Sequence, residues 1–337
     1  MTAAAFPFAS AGQDSPILER PGTHLSDAAA LPSDHARDRP AGNQRRPYIH
    51  ILLFLATFVT TTLAGSGHYH GFASDFGAQE TELGLVLFSQ GLWYSVTALA
   101  ILGAHEFGHY LACRYYGVDA SLPYFIPAPI LLTGTLGAII RIRQPIHTKP
   151  MLFDIGVAGP IAGFLVAVPA LIIGIGLSRQ VPLPADFSGL SLGEPLLFKL
   201  TSWIIWGTPP EGLSLNLHPM GFAAWFGLVL TALNLFPIGQ LDGGHIAYAA
   251  FGRRSVFITF GTLGIAVLLT FWSHSWVLWT LMLIVMLAIF GARHPRTVDE
   301  HIPLDRRRRL VAIAALIMLI LCFTPNPIEP LNLLQSP

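Results

Sequence analysis

Two imidazoles and a carboxylate lie inside a run that is otherwise apolar from Leu83 to Ala112, in the stretch Gly103-Ala104-His105-Glu106-Phe107-Gly108-His109-Tyr110. Titratable groups in such a run are costly unless they are used. On an α-helix, residues four apart lie on one face, so His105 and His109 can bind one metal ion while Glu106 stands beside it and can act on water. This is the arrangement of a zinc peptidase, set here in a membrane helix. The competing reading is a chance HExxH, and a further metal ligand decides between the two.

A catalytic zinc usually takes three protein ligands and keeps a fourth position open. The metzincin extension fails, because Ala112 and Tyr115 stand where Gly and His are required, and no Glu lies between Glu106 and Glu194 for the gluzincin pattern. The best candidate is Asp242 in Asn234-Leu235-Phe236-Pro237-Ile238-Gly239-Gln240-Leu241-Asp242-Gly243-Gly244-His245, read as a carboxylate at the end of another apolar segment. The bland alternative for Asp242 is a helix-end turn residue. If Asp242 is not the ligand, His245 is the next candidate.

Composition fits a polytopic membrane protein: 53% of residues are hydrophobic and only 11% charged, well below the charged share of a soluble domain. A net charge of zero argues against a nucleic-acid partner. Cys113 and Cys322 stand far apart with no CxxC, which excludes a disulfide framework and a thiolate metal site.

Residues 1–47 lack apolar periodicity and read as a disordered tail rather than a signal peptide. A first apolar run, Ile49 to Ala64, precedes an expected polar loop with His68, His70, Asp75, Glu80 and Glu82. The second run carries the HEFGH motif to a helix end at Gly117, about 12 Å beyond His109 at ~1.5 Å per residue. From Pro123 to Pro145 prolines forbid a regular helix, and Thr135 to Arg143 alternates as a strand does. The prediction is a β-hairpin over 126–145 at membrane depth, beside the metal, since non-helical backbone there must be buried in protein or line a wet cavity. An ordinary loop is the alternative.

Asp154-Ile155-Gly156-Val157-Ala158-Gly159-Pro160-Ile161-Ala162-Gly163 opens a third span, and its small residues suit tight helix packing. Residues 178–218 form an extramembrane stretch, too short for a PDZ module, in which Glu194 to Trp206 reads as an interfacial helix anchored by Trp203 and Trp206. Further spans are expected at Met220–Phe236, Val256–Trp272, Trp276–Ala292 and Leu310–Phe323, seven in all. The fold class is therefore an all-α polytopic membrane protein of residues 48–324 with a membrane-embedded β-hairpin beside a zinc site, followed by a tail over 325–337. Seven spans with a cytoplasmic N-terminus put nearly all the Arg and Lys on one side, with Arg179 and Lys199 as exceptions, and place the metal towards the cytoplasmic face. The expected setting is a bacterial inner membrane.

Taken together, His105-Glu106-x-x-His109, Gly134-x-x-Gly137-Ala138, Gly156-x-Ala158-Gly159-Pro160-x-Ala162-Gly163 and Asn234-Leu235-x-Pro237-x-Gly239-x-Leu241-Asp242-Gly243-Gly244 resemble the site-2 protease family of intramembrane zinc metalloproteases over residues 84–290. They are most similar to the branch without PDZ or CBS domains that includes plastid proteases. The resemblance implies that His105, His109 and Asp242 bind one Zn2+ and that Glu106 is the general base. It implies too that Asn234 contacts substrate or oxyanion, and that the hairpin, through Gly137, Ala138 and Ile140, holds a substrate span as an added strand. The implied partners are single-span membrane proteins and the lipid bilayer. A zinc-binding transporter or channel, or an inactive scaffold, are the readings to set against it. Glu106 has no place in a permeation site, and no paired repeats with matching polar interruptions are present.

Overall fold

In the computed structural model, the described residues are 47–80, 84–129, 132–184, 190–271, 275–292, 297–325 and 328–330. The tail expected over 1–47 (but for Pro47), Glu82, most of the expected 325–337 tail, and the basic residues before Pro47 and between 293 and 296 lie outside them.

The chain enters through α1 (Pro47–Ala73), a short α2 (Leu85–Gln90) and α3 (Leu92–Tyr115), which carries the HEFGH motif. A two-stranded antiparallel sheet follows, β1 (Tyr124–Pro127) with β2 (Thr135–Ile139), and then α4 (Lys149–Gly176). Beyond α4 come β3 (Arg179–Pro182), β4 (Leu190–Leu192), α5 (Leu196–Trp206) and β5 (Leu213–Asn216). The last part holds α6 (Pro219–Leu235), α7 (Asp242–Phe251), α8 (Ser255–Thr270), α9 (Ser275–Phe290), α10 (Arg306–Cys322) and β6 (Ile328–Pro330).

Helices thus occupy each expected apolar run. Among the described residues four stretches are long and apolar enough to cross a membrane: Pro47–Ala73, Leu85–Tyr115, Lys149–Gly176 and Asp242–Thr270. In contrast, α6, α9 and α10 have 17, 16 and 17 residues, short of the ~20 that span about 30 Å of hydrocarbon.

Several boundaries differ from expectation: the paired strands of the hairpin span Tyr124–Pro127 and Thr135–Ile139 rather than 126–145, and α4 opens at Lys149, behind a Thr148 cap, rather than at Asp154. The first helix does not stop at Ala64 but continues to Ala73, so His68 and His70 belong to it rather than to a loop. Aromatic packing holds this polar last stretch: the His68 ring lies 4.0 Å from Phe222 and 4.9 Å from Tyr94. The motif helix ends at Tyr115, two residues before Gly117, whose φ of +69° reverses the chain. Asp242 does not end a segment; it opens α7, because Pro237 stops α6 and Gly239, at φ +54°, turns the backbone.

The central group is α3, α4, α6 and α7, with α1 and the β1–β2 hairpin on one flank and α10 on another. Close approach is built from small residues, as expected where lipid is as apolar as the helices and packing must supply the attraction. At the α1–α3 crossing, a Cβ on Gly91 would meet the Thr62 carbonyl at 2.2 Å. The hairpin lies along α1: Thr60 donates to the Gly134 carbonyl at 2.7 Å, Tyr94 donates to the Thr133 carbonyl at 2.8 Å, and the His50 and His68 rings meet the Pro123 and Leu132 carbonyls at 3.1 and 2.9 Å.

The two ends of the bundle differ. At one, Arg308 of α10 binds Asp154 of α4 at 2.6 Å and also reaches Tyr116, which donates to Asp154, so the ends of three helices are tied together. At the other, Arg179 and Asn216 both donate to the Phe72 carbonyl and meet Asp75. Antiparallel β3–β5 and β4–β6 pairs cover that end. There α5 departs from a simple interfacial anchor: Trp203 is exposed as expected, but Trp206 donates to the Ile175 carbonyl at 2.9 Å.

Candidate active site and metal centre

His105, Glu106 and His109 are all buried on α3, and Asp242 is buried at the first position of α7. The carboxylate therefore sits at the N-terminal, positive end of a helix. The Nε2 atoms of His105 and His109 are 3.1 Å apart, and the Asp242 oxygens lie 3.3 and 3.4 Å from them. His109 Nδ1 donates to the Ile155 carbonyl at 2.7 Å, which fixes the proton on Nδ1 and leaves Nε2 as a lone pair aimed inward.

This donor set fits a zinc ion. Acceptor lone pairs and a carboxylate that converge in an apolar interior repel one another unless a cation lies among them. The separations of 3.1–3.4 Å agree with the edge of a tetrahedron whose bonds are about 2.0–2.1 Å, close to 3.3 Å. Among the described residues these three form the group able to hold a metal, and Asp242 Oδ2 is buried without a hydrogen-bond partner.

Glu106 stands outside that trio. The Ile140 backbone of the hairpin lies near its carboxylate, and its Oε1 is buried with no hydrogen-bond partner among the described residues. The hairpin is thus brought against the motif helix, and Phe125 and Ala138 share a core with Leu99 and Leu102 of α3. Asn234, in the last turn of α6, places its amide nitrogen 3.3 Å from His105 Nε2. Gly137, at φ +104°, and Ala138 lie on β2, with Ile140 one residue past its end. His245 is not among the converging donors; its Cβ lies against Gly156.

What sequence reasoning left as generic packing proves specific. Gly156, Gly159 and Gly163 form one face of α4, where an added Cβ would meet His245 Cβ at 2.9 Å, His109 Nε2 at 2.1 Å and His105 Cβ at 3.1 Å. The period of three to four residues was the available signal. Gly243 and Gly244 are equally constrained, since a Cβ would meet the Leu235 and Gly239 carbonyls at 2.0 and 2.3 Å and push Asp242 away from the histidines.

Comparison with known proteins agrees with this geometry. The description "Peptidase family M50" matches residues 93–271, just over half of the chain, from the start of α3 through α8. The chain belongs to peptidase family M50. Within the family it is similar to the probable zinc metalloprotease EGY2, chloroplastic, of Oryza sativa subsp. indica, 31% identical over 264 residues, 74% of this chain and 46% of the rice protein. The Arabidopsis thaliana protein of the same description is 28% identical over 72% of this chain and 43% of its own length. The Arabidopsis probable zinc metalloprotease EGY1, chloroplastic, is 35% identical over 48% of this chain and 30% of its own. The chain spans less than half the length of these relatives. No solved structure matches. The family and these descriptions give the transporter alternative no support. They also run against the expected bacterial inner membrane, because the relatives are described as chloroplastic; the four long apolar helices support a membrane, and the bacterial assignment is set aside.

Proposed function

We propose that this chain is an intramembrane zinc metalloprotease that hydrolyses peptide bonds within the transmembrane segments of single-span membrane proteins. The observation that carries the reading is the convergence of His105 Nε2, His109 Nε2 and the Asp242 carboxylate, with Glu106 beside them on the same helix. Bound zinc would supply Lewis-acid polarisation of water and of the scissile carbonyl. Glu106 takes the proton from the attacking water and passes it to the leaving amine. The Asn234 amide donates to the oxygen on which charge develops.

A substrate helix hides its peptide bonds in its own hydrogen bonds, and in lipid these cannot be given up without replacement. β2 offers the replacement. Because successive amides of a strand point to opposite edges, and Arg141 and Arg143 bond to the preceding segment, the amides of Ala138 and Ile140 face the other edge, where an added strand would run beside the motif helix.

Seven spans and a hairpin at membrane depth form part of the same proposal, with residues 48–324 as one protease domain. Between the ring contacts of His50 and His68 the hairpin follows eighteen residues of α1, about 27 Å at ~1.5 Å per residue, nearly the ~30 Å of a hydrocarbon core. His109 lies six residues before the end of α3, about 9 Å from the arginine-rich end, rather than about 12 Å. By the positive-inside rule that end faces inside, with the N-terminus of α1.

Metal analysis of the purified chain tests the ligand set. About one zinc per chain is expected, lost in His105→Ala, His109→Ala or Asp242→Ala and kept in Glu106→Gln; full zinc in Asp242→Ala would remove the carboxylate from the site.

A further inference from the structure

A cavity of about 690 Å³ opens between α7 and α10 on the side of the bundle away from the hairpin. Its wall includes Leu235, Gly243, Ile246, Leu316 and Leu319, and among the described residues Arg309 is the one charged residue lining it. Leu235 and Gly243 are the immediate neighbours of Asn234 and Asp242, so the cavity backs onto the turn that presents these two groups.

We propose that this groove binds an acyl chain of an anionic phospholipid, with the lipid phosphate on Arg309. The inference rests on the reading of α8 and α10 as membrane helices. Three observations carry it.

The first is length. Arg309 and Leu319 lie ten residues apart on α10, about 15 Å at ~1.5 Å per residue, which is half of a hydrocarbon core of about 30 Å. The groove therefore runs from the headgroup level to the depth of one leaflet. The second is charge. Arg308 is committed to Asp154, whereas the exposed Arg309 guanidinium forms no ion pair among the described residues. The exposed Arg253 and Arg254, just after Phe251 at the end of α7, add positive charge at the same end. The third is the chemistry of the wall. An extended peptide in this groove would find no strand edge and almost no polar side chains, and would leave its amides unpaired. A hydrocarbon chain has no such requirement, and a phosphate is the group that arginine holds best at the interface.

The test uses the full chain in phosphatidylcholine vesicles. It is exposed in turn to phosphatidylglycerol and phosphatidylcholine carrying a photoreactive group on one acyl chain, and labelled peptides are mapped by mass spectrometry. Phosphatidylglycerol should label residues of α7 and α10 in preference to those of α9, and phosphatidylcholine should not. Arg309→Gln should reduce that labelling about fivefold. Leu316→Trp, which fills the groove, should abolish it with zinc content unchanged. Equal labelling by the two lipids, unchanged labelling in Arg309→Gln, or a crosslink joining two copies through this groove would overturn the proposal. Release of the protein by alkaline carbonate would overturn the membrane reading as well, whereas unselective labelling of an inserted, zinc-loaded protein overturns this inference alone.

Discussion

Gly159 of α4 lies against His109 of α3 so closely that a Cβ there would stand 2.1 Å from Nε2, the proposed ligand atom itself. No rotamer change at position 159 can relieve such a contact, because the Cβ is fixed by the backbone. The imidazole must move, and with it the hydrogen bond from Nδ1 to the Ile155 carbonyl that fixes its tautomer. Gly159→Ala should therefore lower zinc affinity at least tenfold, the loss typical of disturbed ligand orientation. Gly163→Ala meets nothing nearer than His105 Cβ at 3.1 Å and should lose less. Titration of both variants with a competing chelator checks the order; equal affinities would detach the α4 glycines from the metal site.

The hairpin prediction separates catalysis from metal binding. The amides of Ala138 and Ile140 face the edge of the hairpin turned away from the preceding segment, since Arg141 and Arg143 bond to that segment, so proline at either position removes a donor that no side chain can restore. Both variants should keep zinc and lose more than tenfold in cleavage of a membrane substrate, while Leu136→Ala, on an exposed position of β2, should stay near wild type. Normal turnover by Ile140→Pro would return this segment to a plain loop.

At the opposite end, His218 caps α6 by accepting from the Met220 amide at 3.2 Å, with Phe72 and Trp93 edge-on to its ring. Burial pulls its pKa down from 6.5 to about 4, so the folded protein holds it neutral. The unfolded chain binds that proton more readily, and the stabilisation is complete above pH 6.5 and is lost as pH falls through about 4. His218→Asn keeps a cap and removes the titration. Thermal melts in detergent at pH 7 and pH 5 should show a smaller acid-induced drop for the variant; identical drops would assign the sensitivity elsewhere.

How much of this was legible in the sequence depends on how local the determinant is. The spacing of His105, Glu106 and His109 within one helix requires no tertiary information, and Asp242 could be named as the candidate third ligand from its place at the edge of an apolar run beside glycines. The prolines and alternation of 123–145 likewise pointed to strands. What escaped notice depends on contacts between distant segments. His68 and His70 look like loop residues until Tyr94 and Phe222 are packed around the His68 ring. Asp242 looks like the end of a segment until the turn at Gly239 makes it the start of one. The glycines of α4 read as generic packing because nothing local says that histidines of another helix face them.

The most direct measurement is cleavage of a single-span protein co-reconstituted with the full chain in proteoliposomes, wild type beside Glu106→Gln, with the scissile bond located by mass spectrometry. Wild type should cut within the substrate span, in the half nearer the arginine-rich end, and more slowly when Gly, Pro or Asn residues there are replaced by Leu, which raises the unwinding cost by roughly 0.5 kcal/mol for Asn, 1 for Gly and 3 for Pro. Glu106→Gln should retain zinc and release no product. Product from Glu106→Gln at the wild-type rate, or a cut in a soluble loop that ignores helix-weakening residues, would contradict an intramembrane protease built on His105, Glu106, His109 and Asp242.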